Sequence, residues 1–316
     1  IIVSLVGSEM CIRDRYIKVY EYLQNIVNEE NMANQEYLAL LNRGVLTWNE
    51  WRYKNLDLQP NFSHAYLRGF NLEGVNFKGL NLTAADLCLA QLVNANCQDS
   101  ILTSAQLINA NLTAINLQGA NLTNSNLISA NLRLANLIEA NLVDANLIGT
   151  DLQNSNFRYV DGTSADLRRS NLAKADLMEA NFSYANFSYA NLYEAQLIGG
   201  YFYQANLYKA NLIKAHLSGA YLSNASLREA NLYGADLRFT KLKKVNFQDA
   251  NLQETYCRGT NLSQAILIRA DLRGANLRGA NLNKANLTDA LIDNINLVDA
   301  NLQEAIMPDG RINYDY

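Results

Sequence analysis

Ala120-Asn-Leu-Thr-Asn-Ser-Asn-Leu-Ile-Ser-Ala130-Asn-Leu-Arg-Leu134 holds three near-copies of one five-residue unit, and Ala275-Asn-Leu-Arg-Gly279 returns to it far downstream. Self-similarity at a fixed short period marks a repeat architecture. With the central apolar residue called i, the unit recurs at Phe62, Leu67, Leu72, Phe77 and every fifth position to Leu302, giving 49 units without insertion or deletion. Those centres are 38 Leu, 7 Phe, 2 Cys, 1 Ile and 1 Gly, while position i−2 is Ala in 32 units. These two positions therefore carry the interior. Position i−1 is Asn or Asp in 36 units, and i+1 and i+2 vary freely.

A period of five discriminates between helix and strand. At about 100° per residue, five steps turn a helix by roughly 500°, so successive leucines would wind around every side. Ala at i−2 and Leu at i instead alternate around one polar residue, as in a short strand with one inward face. The remaining two residues turn the corner. Gly at i+2, as in Gly119, Gly219 and Gly279, fits a turn that needs unusual backbone angles.

Over about residues 60 to 305 these units resemble the pentapeptide repeat family, whose pattern is A(N/D)LXX. The resemblance implies an all-β solenoid, a right-handed quadrilateral β-helix of about twelve coils. Four pentapeptides would make one coil, with i and i−2 inward. At ~4.8 Å per coil the stack would be roughly 59 Å long, with residues 20 apart directly above one another.

Departures from the pattern read mainly as packing. Cys97 and Cys257 occupy i positions and are expected to be inert small apolar groups; Cys88 is expected to face outward. No spacing suggests a disulfide framework or a zinc site. Phe182 and Phe202 should stack in successive coils, and Gly162 at an i position suggests a bulge or bend.

The solenoid needs covered ends. Residues 32–59 are expected to form an N-terminal cap, with a short amphipathic helix over 34–44 and Trp48 and Trp51 on the first coil. Residues 306–316 form a thin C-terminal tail, which makes a homodimer through that end a candidate. Residues 1–31 read as a non-native or upstream extension, because the first fifteen look like translated cloning sequence and Met32 resembles a natural start.

The chain has 316 residues, 49% apolar content, 18% charged residues and a net charge of −4. No run approaches the roughly 18 apolar residues of a membrane span. His64 and His216 are far apart, and no nucleophilic or metal-ligating constellation accompanies either. The i−1 carboxylates lack the calcium-binding nonapeptide pattern. An enzyme, a cofactor and a small-molecule substrate are therefore not expected, and a cytoplasmic, reducing location fits the cysteines.

Function must then be written on the outward columns. Ile108, Ile128 and Ile148 form an apolar column; Arg238, Arg258 and Arg278 align in three coils beside Gly219, Gly259 and Gly279. Tyr201, Tyr203 and Tyr221 belong to a crowd of outward tyrosines that also includes Tyr184, Tyr189, Tyr193, Tyr208 and Tyr233. These columns are the candidate partner-binding residues of a non-catalytic scaffold for an unknown protein partner. The resemblance offers an alternative, since some members of the family look like B-form DNA to topoisomerases and modulate gyrase. Duplex DNA carries one charge per ~1.7 Å. Residues 60–305 carry 19 basic and 20 acidic residues, so neither that mimicry nor direct binding of nucleic acid is favoured. A purely structural or stress-related role is the remaining reading.

Overall fold

The computed structural model describes residues 35–314, so the expectations for residues 1–31 and for Met32 fall outside the described residues. Two compact units meet between Phe62 and Ser63.

In the first unit, α1 covers residues 35–41 and α2 covers Val45–Lys54, joined at Gly44, whose φ of 110° suits glycine. The sequence suggested one helix; the tryptophan segment is a second. Trp48 is fully buried, with its ring 5.4 Å from Trp51 and edge-on to Phe62 at 5.3 Å. Tyr37 from α1 joins the same group, 5.4 Å from Trp51. Phe62, the first repeat centre, thus belongs to the aromatic core of the helical unit. Arg52 is also buried, and its guanidinium donates to the Leu58 carbonyl at 2.8 Å.

In the second unit each pentapeptide forms a one-residue parallel bridge at i−1 and then a two-residue turn. Every parallel bridge joins residues 20 apart, from Tyr66↔Asp86 through Asn131↔Asp151 to Asn286↔Ile306, and one antiparallel bridge, Ile306↔Ile312, follows at the C-terminal end. Four pentapeptides therefore complete one coil. The coils are held by three recurring backbone bonds: Leu132 N–H donates to the Asp151 carbonyl at 2.7 Å, Asp151 N–H to Ala130 at 3.0 Å, and Gly119 N–H to Ile138 at 2.9 Å. A fourth closes the turn, as in Ala135 N–H to the Leu132 carbonyl at 3.1 Å.

This pattern explains the Asn-rich register. Of the five amides in a unit, the backbone satisfies four and leaves the one at i+1, and an unpaired amide is costly unless it finds an acceptor. The i−1 side chain supplies one: Thr123 N–H donates to Asn121 Oδ1 at 3.0 Å, and Thr163 N–H to Asp161 Oδ1 at 3.0 Å. The other end of the amide builds a ladder, with Asn136 Nδ2 donating to Asn116 Oδ1 and Asn191 Nδ2 to Asn171 Oδ1, both at 3.0 Å. Only Asn can do both, which physically separates it from Asp and Gln at this position.

The residue at i+2 is left-handed in every unit, at 38 non-glycine and 11 glycine positions. Tyr184 at φ 64° and Phe239 at 59° show that bulky residues accept this region when stacking fixes it. The interior, mainly Ala and Leu with Phe, Val, Ser and Thr among them, is essentially unexposed from Leu72 to Leu287.

Gly162 corrects the expected bulge. The bridges Asn141↔Asp161 and Asp161↔Asn181 continue in register, and a Cβ at Gly162 would stand 2.1 Å from the Phe182 ring. Phe182, from the next coil, fills the space. It stacks on Phe202 at 6.1 Å and 13°, as the 20-residue spacing predicts. Cys97 and Cys257 are buried, and burial pushes each thiol up to about 12. Cys88 keeps its place in the outward i+1 column below Ile108, but its small side chain is buried there beside Asp86, whose Oδ1 accepts from the Cys88 N–H at 3.1 Å.

Candidate functional site

The outward columns differ in how their side chains are held. Ile108, Ile128 and Ile148 are half-buried, each packed along its column, so this apolar stripe is partly sealed by its own stacking.

The tyrosines resolve into separate pairs. Tyr201 and Tyr221 occupy i−1 positions in one column, with rings 4.8 Å apart and 5° from parallel, each more than two-fifths exposed. Tyr184 and Tyr203 meet edge-to-face at 5.6 Å on the same side of the coils, and Gln204 Nε2 donates to the Tyr203 hydroxyl at 3.0 Å. Tyr189 and Tyr208 form a third pair at 5.5 Å one corner away, with the Lys209 ammonium 5.2 Å from the Tyr208 ring centre and 3.2 Å from Glu229. A strand-sided ladder thus turns loose aromatic side chains into fixed contact area.

The arginine column is not uniform. Arg238 is forked onto Asp236, with Nε–Oδ1 at 2.8 Å and Nη2–Oδ2 at 2.6 Å. Arg278 reaches Asp299 at 3.4 Å. Arg258, between them, is exposed and makes no ion pair among the described residues. Burial acts to raise the Asp236 pKa, but hydrogen bonds from the Arg238 side chain and backbone outweigh it and hold the carboxyl below its usual range.

Beside Asp236 lies a surface groove of about 510 Å³ lined by Glu194, Lys214, His216, Arg238 and Tyr256. It opens where Gly234 interrupts the i+2 column above Lys214. Sorting the sequence by twenty exposes this gap, though only the coordinates show its depth. Acid and base are mixed in it and Asp236 is already paired. Among the described residues no group of three or more His, Cys, Asp or Glu converges on a common point, and no helix is long and apolar enough to cross a membrane.

Comparison with known proteins agrees with this register. No curated protein matches the chain. Among solved structures, HetL, a pentapeptide repeat protein involved in heterocyst differentiation regulation in the cyanobacterium Nostoc sp. strain PCC 7120, is 32% identical over 83% of this chain and 96% of its own, with a TM-score of 0.30. QnrB1, a plasmid-mediated fluoroquinolone resistance protein, is 19% identical over 50% of this chain and 75% of its own, with a TM-score of 0.30. A pentapeptide repeat protein of the Arabidopsis thaliana thylakoid lumen is 29% identical over 36% of this chain and 68% of its own, with a TM-score of 0.19. The family model described as pentapeptide repeats matches residues 61–197, 205–243 and 246–309, nearly the whole span of the 20-residue bridges. The uninterrupted five-residue register, its Asx-bonded turns and this match together make the chain a member of the pentapeptide repeat family.

Proposed function

We propose that the protein is a non-catalytic scaffold that presents pre-ordered side-chain columns to a protein partner. The frame would be a right-handed, four-sided β-helix of about twelve coils with the helical segment as its N-terminal cap. One observation carries the reading: exposed tyrosines that would be mobile on an ordinary surface are stacked at 4.8 Å and within 5° of parallel on a hydrogen-bonded ladder. A partner meeting Tyr201, Tyr203 and Tyr221 loses little additional side-chain entropy there, so contact converts efficiently into affinity. The chemistry on view favours binding over turnover, because the groove beside Asp236 is open and Asp236 itself is already held by Arg238.

A cytoplasmic location is supported by Cys88, Cys97 and Cys257, which are buried and form no disulfide among the described residues. Self-association would use the C-terminal end, where Leu291 and Val298 are exposed; light scattering across a concentration series reads it directly. Affinity capture with the chain beside the variant Tyr201→Ser, Tyr203→Ser, Tyr221→Ser tests the scaffold. A protein retained by the first and lost by the second supports the reading; capture of nothing above background overturns it.

A further inference from the structure

The near-neutral charge of the repeat conceals a strong separation of sign. One face with its two corners is built by residues 198–204, 218–224, 238–244, 258–264 and 278–284, the same positions in five successive coils. These carry seven cations, Arg238, Lys241, Lys243, Lys244, Arg258, Arg278 and Lys284, and no carboxylate. Arg238 reaches Asp236 on the adjoining side, and Arg278 and Lys284 reach Asp299 and Glu304, the carboxylates with which this same face ends in the next coil, 298–304. Lys241, Lys243, Lys244 and Arg258 are exposed and make no ion pair among the described residues. Four unneutralised cations within about 10 Å along the coil axis attract anions strongly.

A second, independent feature falls on the same face. In this column the i−1 residues of three consecutive coils are Tyr201, Tyr221 and Lys241, each replacing the Asn or Asp that in 36 of the 49 units stands where it can accept from the i+1 amide. Tyr203, Ser223 and Lys243 therefore keep backbone N–H groups with no acceptor among the described residues. The local rule of the repeat is broken three times in succession, at a cost in stability, and such breaks mark functional surface. The face is thus rich in donors: ammonium and guanidinium groups, tyrosine hydroxyls and bare amides.

We infer that this face binds an Asp/Glu-rich segment of a protein partner, a deepening that rests on the scaffold reading. Carboxylates take the acceptor role that the missing Asx side chains leave open, beside Lys241, Lys243 and Lys244. Single-stranded nucleic acid fits less well. Base recognition needs open ring faces. The Tyr201 and Tyr221 rings each cover one face of the other at 4.8 Å, which leaves only the outer faces of the pair, toward Asn181 and Lys241 in the same column. Phe239 extends over Gly259 of the next coil, where no side chain stands in its way.

The test uses a fluorescein-labelled twelve-residue peptide of alternating Glu and Ser, a twelve-nucleotide oligo-dT, and anisotropy titrations at low and physiological salt. The full chain is compared with K241E/K243E/K244E and with K174E, a control from another corner; circular dichroism melts verify folding. Peptide binding weakened at least ~10-fold by the triple reversal and unchanged by K174E supports the inference. Equal weakening by K174E, no peptide binding at low salt, or tighter binding of oligo-dT than of peptide overturns it. If a protein partner is captured equally by the full chain and the triple variant, the scaffold stands and only the acidic-segment assignment fails.

Discussion

The coils around Ile108–Ile148 and those around Tyr201–Arg278 share the same inward positions, filled mainly by Ala and Leu with Phe202, Phe247, Thr240, Thr255 and Thr260 added in the second, and they differ most outside. In the first, Asn116 and Asn136 ladder together and each closes its own turn. In the second, Tyr201, Tyr221 and Lys241 abandon that arrangement and cations gather around them. The interior of a solenoid therefore places almost no constraint on what its exterior carries. Stability resides in Ala, Leu and Asn at three positions of each unit, and the other two can be rewritten.

Substitutions can break that comparison. Leu132→Ala and Leu222→Ala, one in each region and both fully buried, should each cost about 2–5 kcal/mol in urea unfolding. Clearly unequal costs would show that the interiors are not equivalent. Gly162→Ala should cost roughly 1–3 kcal/mol by forcing a Cβ into the Phe182 ring, and the double variant with Phe182→Leu should recover part of it.

Smaller effects sharpen the contrast. Asn136→Ala removes the acceptor for Ile138 N–H and the donor to Asn116, and should cost about 1 kcal/mol. Tyr221→Asn should act in the opposite direction, adding about 0.5–1.5 kcal/mol by giving Ser223 N–H its acceptor. A destabilised Tyr221→Asn would mean that the tyrosine stack outweighs the missing bond.

The smallest effect is with pH. Hydrogen bonds from Arg269 and Arg273 hold Asp249 and Asp271 below the ordinary carboxylate range, as Arg238 does for Asp236 against the effect of burial. A depressed folded pKa contributes stability above the unfolded value near ~3.9, and that contribution is lost as pH falls through the folded value. Melting temperature should therefore fall by a few degrees below about pH 4, with hydrogen exchange rising first over residues 236–273. Uniform exchange along the solenoid would contradict this.

Much of the fold is legible in the sequence because the five-residue spacing of Leu admits no helix, and the 20-residue stacking makes Phe182 and Phe202 neighbours before any coordinates are seen. The bulge expected at Gly162 fails for a traceable reason: the filler, Phe182, lies twenty residues away in sequence but directly above it in the next coil. Helix α2 escapes because Val45, Trp48 and Trp51 mark only a short inward face, and the apolar Leu46, which stands exposed, blurs the pattern. The cationic face escapes differently. Charge summed along residues 60–305 cancels, since acids and bases close in sequence point to different faces. The missing Asx residues at 201, 221 and 241 are visible in the sequence only once the i+1 amide is known to depend on them.

The 20-residue register has a consequence for how such a chain can change in length. Removing any five residues would leave the core pattern of every remaining unit intact, yet it would turn everything downstream by a quarter of a coil. Arg258 and Arg278 would leave the face that holds Tyr201 and Tyr221, and the columns would be dealt into new hands. Only insertions or losses of twenty residues would keep both core and surface aligned, so a lineage that depends on a column should vary in whole coils, whereas one that needs only a stable stack can vary in quarter-coils.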